Sequence, residues 1–350
     1  MEDTYQTQAT NNIVVSSSRT PLLPPELIDE VIRQAWSSDL TIPERTSLYT
    51  TYCLVNRTWL SLFIRAALVD VHIISPAFAD YYLFLVHQPS GSESRETSKL
   101  LPNASETANR LCRSINFHVD NNPNRGTSLE LPPAIRLYAD SHKMAETVSS
   151  TLYMIDTLGY TPNLQHVTLD YVDWGFGDVF DQMRLSPLPP QVTSLEIIYS
   201  YSKELKDTSD SIKKSYSRQP YPMWKTSTVR KLSVAGAPAG LVNAFVLTCP
   251  CVEVLEVSGL SSFDHLDEMP DSLHTLVLHL DNFNGATDGR KQDFGLDESL
   301  LRKWFAVSSE VKRKVVLCSE ASLRTRFRLP DPVASWARKF GLEIITRGLT

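Results

Sequence analysis

The sequence predicts an α/β chain: a three-helix unit over residues 21–75, then an irregular α/β solenoid over 76–350. Three observations predict it. Apolar residues recur at helical spacing just after Pro24-Pro25. Short segments of the form apolar-x-x-apolar-x-apolar recur through the remainder of the chain. Between them, stretches rich in Ser, Lys, Glu, Asp, Asn and Gly mark loop insertions near 88–106, 199–221 and 281–295.

Residues 1–20 are polar, carry Glu2 and Asp3 where a signal peptide would carry lysines, and read as a disordered tail. Pro25 then falls in the first turn of a helix, where its missing N–H costs nothing, and Glu26, Asp29 and Glu30 complement the positive end of the helix dipole. Leu27, Ile28, Val31, Ile32, Ala35 and Trp36 form a broad apolar stripe. Asp39 to Pro43 reads as a turn and Glu44 to Cys53 as a second helix, with Leu48, Tyr49, Tyr52 and Cys53 on one side. Asn56 caps a third, on which Trp59, Leu62, Phe63 and Ala66 repeat at three and four. A unit this small buries only about 60% of its unfolded surface. The surplus apolar stripe must meet either the residues that follow or a second protein.

Composition narrows the class of function. With 350 residues, 42% hydrophobic and 21% charged, the chain is long enough for two domains or one elongated array. A net charge of −6 gathers no phosphates, so nucleic acid is not the expected partner. The run Tyr81 to Val86 is far too short to span a bilayer, and no membrane partner is expected. Five scattered cysteines do not suit a disulfide framework, which points to the cytosol or nucleus.

The opening residues resemble an F-box. Leu23-Pro24-Pro25-Glu26-Leu27 followed by Val31-Ile32 matches that family's Leu-Pro-x-Glu-Leu/Ile start, and Leu54-Val55-Asn56-Arg57-Thr58-Trp59 matches its Leu-Val-Cys-Lys-x-Trp block. The strand-like 67–73 follows, as in the family. Asn56 stands where the family commonly has Cys, and the stretch from Trp36 to Tyr49 is several residues longer, a spacing similar to that of fungal F-box-like proteins. The resemblance implies a non-catalytic substrate receptor of an SCF-type cullin–RING ubiquitin ligase. In that role Leu23, Pro24, Pro25, Leu27, Ile28, Val31 and Ile32, with Leu54, Val55 and Trp59, would meet a Skp-type adaptor and through it the cullin. Some of these side chains must be internal core, because a helix cannot turn every apolar residue outward.

The recurring segments begin at Leu164, Val192, Val229, Val252 and Leu273, at intervals of 28, 37, 23 and 21 residues, with poorer copies at Cys112 and Lys312. Each reads as a short strand whose alternate residues face inward, Leu255 and Val257 in and Glu256 out. Residues 241–250 suit a connecting helix with Leu241, Phe245 and Val246 on its inner face. At the end, Asp331 caps a helix starting at Pro332, with Val333, Trp336 and Phe340 inward, Gly341 as its stop and Leu342 to Ile345 as a last strand. Residues 110–346 resemble an irregular leucine-rich-repeat array, without the usual Asn ladder. An α/β domain whose strands merely share the alternation fits the same segments.

The sequence holds no Gly-x-Ser-x-Gly elbow, phosphate-binding glycine loop or His-Glu-x-x-His pair, so neither catalytic residues nor a cofactor or metal is expected. Cys249-Pro-Cys251 lacks a second ligand pair and reads as packing. The acidic stretch 263–271, with Asp264, His265, Asp267, Glu268 and Asp271, reads as a solvated turn. The role implied by the F-box resemblance is a ligase receptor that presents an unknown target protein. The alternative is a repeat scaffold that uses its helices only as a cap.

Overall fold

The structure, a computed structural model, describes residues 23–38, 40–87, 103–120, 133–172, 188–200, 225–237, 239–258, 269–279, 313–319 and 343–348. Three helices open it: α1 (Pro25–Trp36), α2 (Ile42–Val55) and α3 (Arg57–Val69). Helix α2 starts two residues before the expected Glu44. The reason is a capping box, in which the Thr41 hydroxyl accepts from Glu44 N and Glu44 Oε2 accepts from Thr41 N at 2.9 Å. Asn56 caps α3 as expected, its Oδ1 accepting from Trp59 N at 3.0 Å. Replacing it, Asn56→Ala, is expected to cost about 1 kcal/mol in chemical denaturation; an unchanged midpoint would mean that the cap carries no load.

Among the described residues, nine parallel strands follow in one sheet whose spatial order is the sequence order. They are β1 (Asp70–Ile73), β2 (Ser114–Asp120), β3 (His166–Val172), β4 (Ser194–Ser200) and β5 (Lys231–Ala235). After these come β6 (Val254–Ser258), β7 (Thr275–His279), β8 (Lys314–Ser319) and β9 (Glu343–Gly348). Among the described residues, α4 (Pro76–His87), α5 (Ala104–Leu111), α6 (Pro133–Leu158) and α7 (Ala239–Thr248) fall between strands.

Register alignment explains the core. Val71, Ile115, Val167, Leu195, Leu232, Leu255, Leu276 and Val315 pair across eight strands as one continuous apolar row. All eight are buried, and the next inward residues, from Ile73 and Phe117 to Leu278, form a second row beside them. A clamp repeats where β3 to β7 begin: Gln165 O accepts from Thr193 N and Ser194 N at 3.0 and 2.9 Å, and Arg113 O, Thr193 O, Arg230 O and Glu253 O do the same for their neighbouring strands. The apolar residue opening each sequence segment sits two positions before its strand, and Cys112, Leu164, Val192, Val229, Val252 and Leu273 are all fully buried there. The turn after β5 needs glycine: Gly236 has φ +68°, and a Cβ there would lie 2.0 Å from Tyr199 O.

Several expectations change. The strand at the end of 21–75 belongs to the sheet, where Asp70–Ile73 pairs with β2. The insertion near 88–106 ends earlier, because Asn103 takes a left-handed turn at φ 54° into α5 and Ala104 is buried. That near 199–221 starts later, since Tyr199 and Ser200 complete β4. Helix α7 buries Leu241, Phe245 and Val246 as expected. Residues 1–20, 281–295, the acidic residues 264–268 and the helix expected at 331–341 lie outside the described residues.

Candidate functional site

The helical unit has a small core of its own. Ile28, Ile32 and Trp36, spaced by four on α1, meet Phe63 and Ala66 of α3, with Leu48, Tyr52, Cys53, Trp59 and Leu62 around them. Phe63 sits at its centre, edge-on to Trp36, Tyr49 and Tyr52 at centroid distances of 5.1, 5.4 and 5.3 Å. Trp36 ties this core to the rest: its Nε1–H donates to Asp70 O at 2.8 Å, and the Arg45 guanidinium lies 5.0 Å over its ring. Arg45 also donates to Trp36 O and Ser38 O, which closes the α1–α2 turn.

Packing sorts the ten residues singled out by sequence. Ile28 and Ile32 are corrected: the rotation of α1 against α3 puts both in the core, so neither has a face to offer a partner. Leu23, Pro24, Pro25, Leu27 and Val31 are exposed, and Leu27 keeps 53% of its surface. Leu23, Leu27 and Val31 recur every fourth residue, giving an apolar stripe beside the buried one. Leu54, 80% exposed, and Val55 stand out at the end of α2. Trp59 is half-buried against Tyr52, its ring centroid 5.3 Å away.

A second surface was not singled out from sequence. The sheet face opposite the apolar rows is mostly polar at its β1 end and cross-linked from strand to strand, with Ile198, Val254, Val277 and Val316 sharing it farther along. Ser114 Oγ and Asn116 Nδ2 each donate to Asp70 Oδ1 at 2.6 Å, and the Thr168 hydroxyl donates to Glu196 Oε2 at 3.2 Å. Farther along, Glu256 pairs with both Lys231 and His279, at 3.0 and 2.6 Å. Burial pushes the Asp70 carboxyl up, but hydrogen bonds from His72, Ser114 and Asn116 outweigh it and hold it below the usual range. Glu256 is likewise held low, by His279 and Lys231 against burial. The alternation Ser114-x-Asn116-x-His118 and His166-x-Thr168-x-Asp170 carries this face in the sequence, although only the register shows which residues meet.

The sign of that shift gives a prediction. A carboxylate with a lowered folded pKa stabilises the fold above its unfolded value, about 4.3 for Glu, and that contribution is lost as pH falls through the folded value. Glu256→Gln is therefore expected to lower stability near neutral pH and to flatten its decline below about pH 4; a parallel decline in both proteins counts against the assignment.

A cavity of about 180 Å3 lies between α3 and α4. Its lining is mostly apolar, including Phe63, Leu68, Phe78 and Leu85, and Tyr49, Tyr81 and Tyr82 also line it. Burial pushes the Cys249 thiol up to about 12, so it packs as a neutral group rather than as a thiolate. Among the described residues, no group of three or more His, Cys, Asp or Glu side chains could hold a metal ion, and no helix is long and apolar enough to cross a membrane. The chain matches no protein-family model and no curated protein.

Proposed function

We propose that this chain is an F-box-type substrate receptor: its helices dock a Skp-type adaptor and through it a cullin, while an irregular leucine-rich-repeat-like solenoid holds a target protein for ubiquitin transfer. One observation carries the docking half. Leu23, Leu27 and Val31 stand exposed beside a stripe of α1 that is already full, with Leu54 and Val55 exposed on α2. The core of the helical unit is complete without them, so their apolar surface is free for another chain. The strand order supports the solenoid half. Parallel strands taken in sequence, each bonded only to its neighbours, are what stacked repeats produce.

In this role the chain makes and breaks no bond. It acts by proximity, holding target lysines at high effective concentration near the charged ubiquitin carrier. The test is direct: purified full-length chain and purified adaptor are expected to co-elute as a one-to-one complex. Failure to form that complex, with both proteins folded, defeats the ligase reading and leaves the scaffold alternative.

A further inference from the structure

At its β1 end the polar sheet face runs through a chain of four groups: Asp70, His72, His118 and Asp170. His72 Nε2 lies 3.1 Å from Asp70 Oδ2, His72 Nδ1 lies 2.8 Å from His118 Nε2, and His118 Nδ1 lies 3.0 Å from Asp170 Oδ2. The two rings are within 14° of parallel, with centroids 5.1 Å apart.

Counting protons over these three contacts decides their state. A carboxylate only accepts, so each outer contact takes one imidazole N–H. A neutral imidazole has a single N–H, and both are then used. The central contact would set lone pair against lone pair at 2.8 Å, which is repulsive. Moving one N–H into the centre only transfers the conflict, because a bare ring nitrogen would then face a carboxylate. Hydrogen bonds from Ser114 and Asn116 keep Asp70 ionised, so it does not supply the missing proton.

We propose that His72 and His118 together hold one extra proton, forming an imidazolium–imidazole pair between Asp70 and Asp170, and that this proton fastens the helical unit to the sheet as a pH-sensitive joint. Arg45 of α2, Asp70 on β1 and His118 on β2 are the charged or titratable groups facing His72 among the described residues, and Asp170 on β3 faces His118. Burial, with Arg45 and His118 acting in the same direction, holds the His72 imidazole below its ordinary value against the pull of Asp70. The charge sits on His118, the more exposed ring of the two at 11% against 7% for His72. His118 donates to His72 Nδ1 and to Asp170, and neutral His72 donates to Asp70.

The joint matters because Trp36 rests on it. The Trp36 indole stands edge-on to His72 with centroids 5.1 Å apart, and it also holds the Asp70 carbonyl. When the proton leaves, the two rings repel, the contact opens and the floor under the end of α1 loosens. This inference does not depend on the ligase reading.

Nitrogen-15 imidazole spectra of the full chain, taken from about pH 5 to 8, test it. At the acid end, one ring is expected with both nitrogens protonated beside one Nε2–H ring, the pair converting in a single coupled step. Amide exchange in α1, corrected for intrinsic rates, is expected to quicken about tenfold across that step. In His118→Gln, exchange in α1 should no longer follow pH and the His72 signals should move. Two neutral rings at about pH 5, or a His72 spectrum indifferent to His118→Gln, would overturn the proposal. The wild-type spectra decide it even if the variant does not fold.

Discussion

Leu27→Asp is expected to weaken adaptor binding by about 100-fold or more while leaving the fold intact. Leu27 is half exposed and contributes little to its own core, and surface changes of that kind usually move stability by about 0.5 kcal/mol or less. Position three of the helix even favours a carboxylate. At an interface the same change forfeits roughly 1.5–3 kcal/mol of side-chain burial and adds the cost of desolvating a charge. At 1.4 kcal/mol per tenfold, a total of about 3 kcal/mol is a hundredfold. Calorimetric titration against the adaptor measures it, with Tyr153→Asp on α6, a site of similar exposure, as the control that should bind normally. Equal affinity in folded Leu27→Asp protein would remove α1 from the docking surface.

Phe63→Ala is expected to unfold the helical unit and spare the sheet. The side chain is fully buried among three aromatic rings, and truncations of this kind cost about 3–5 kcal/mol. A unit of roughly fifty residues has only about 2–7 kcal/mol to lose at ordinary stability per residue. Its buried cluster of Ile28, Ile32, Trp36, Phe63 and Ala66 is distinct from the one that runs through the sheet. Hydrogen exchange should therefore show α1 to α3 exposed while β3 to β7 stay protected, with adaptor binding lost. Simultaneous loss of protection in both parts would mean that the two cores fold as one.

The sequence exposed the elements whose signal is local. Asn56 and Pro25 announced two helix starts, and the buried residues Leu164, Val192, Val229, Val252 and Leu273 announced five strands, because a chain entering a stacked sheet must tuck an apolar side chain just before it. Helices α4, α5 and α6 are not among the expected elements, and the first two give no such signal. The α4 segment is apolar almost all round, leaving Tyr81 and Phe84 exposed beside buried Ala79, Tyr82 and Val86, so no stripe stands out. Helix α5 begins inside the polar stretch read as a loop, which takes in Ser105, although Ser105 and Asn109 both donate to Val86 O at the end of α4. Within the candidate site, the separation of Leu27 and Val31 from Ile28 and Ile32 depended on how α1 rolls against α3. The polar chain from Asp70 to Asp170 depended on pairing across strands more than forty residues apart, as the separations of 46 and 52 for its His72–His118 and His118–Asp170 contacts show.

The strand order has an evolutionary consequence. When each rung bonds only to the rungs before and after it in the chain, a connection can grow without rethreading any other part. Lengthening a flexible connection twofold costs only about 0.6 kcal/mol in closure entropy. A lineage carrying this architecture is thus free to graft new segments between rungs, while the ladder that holds them keeps its shape.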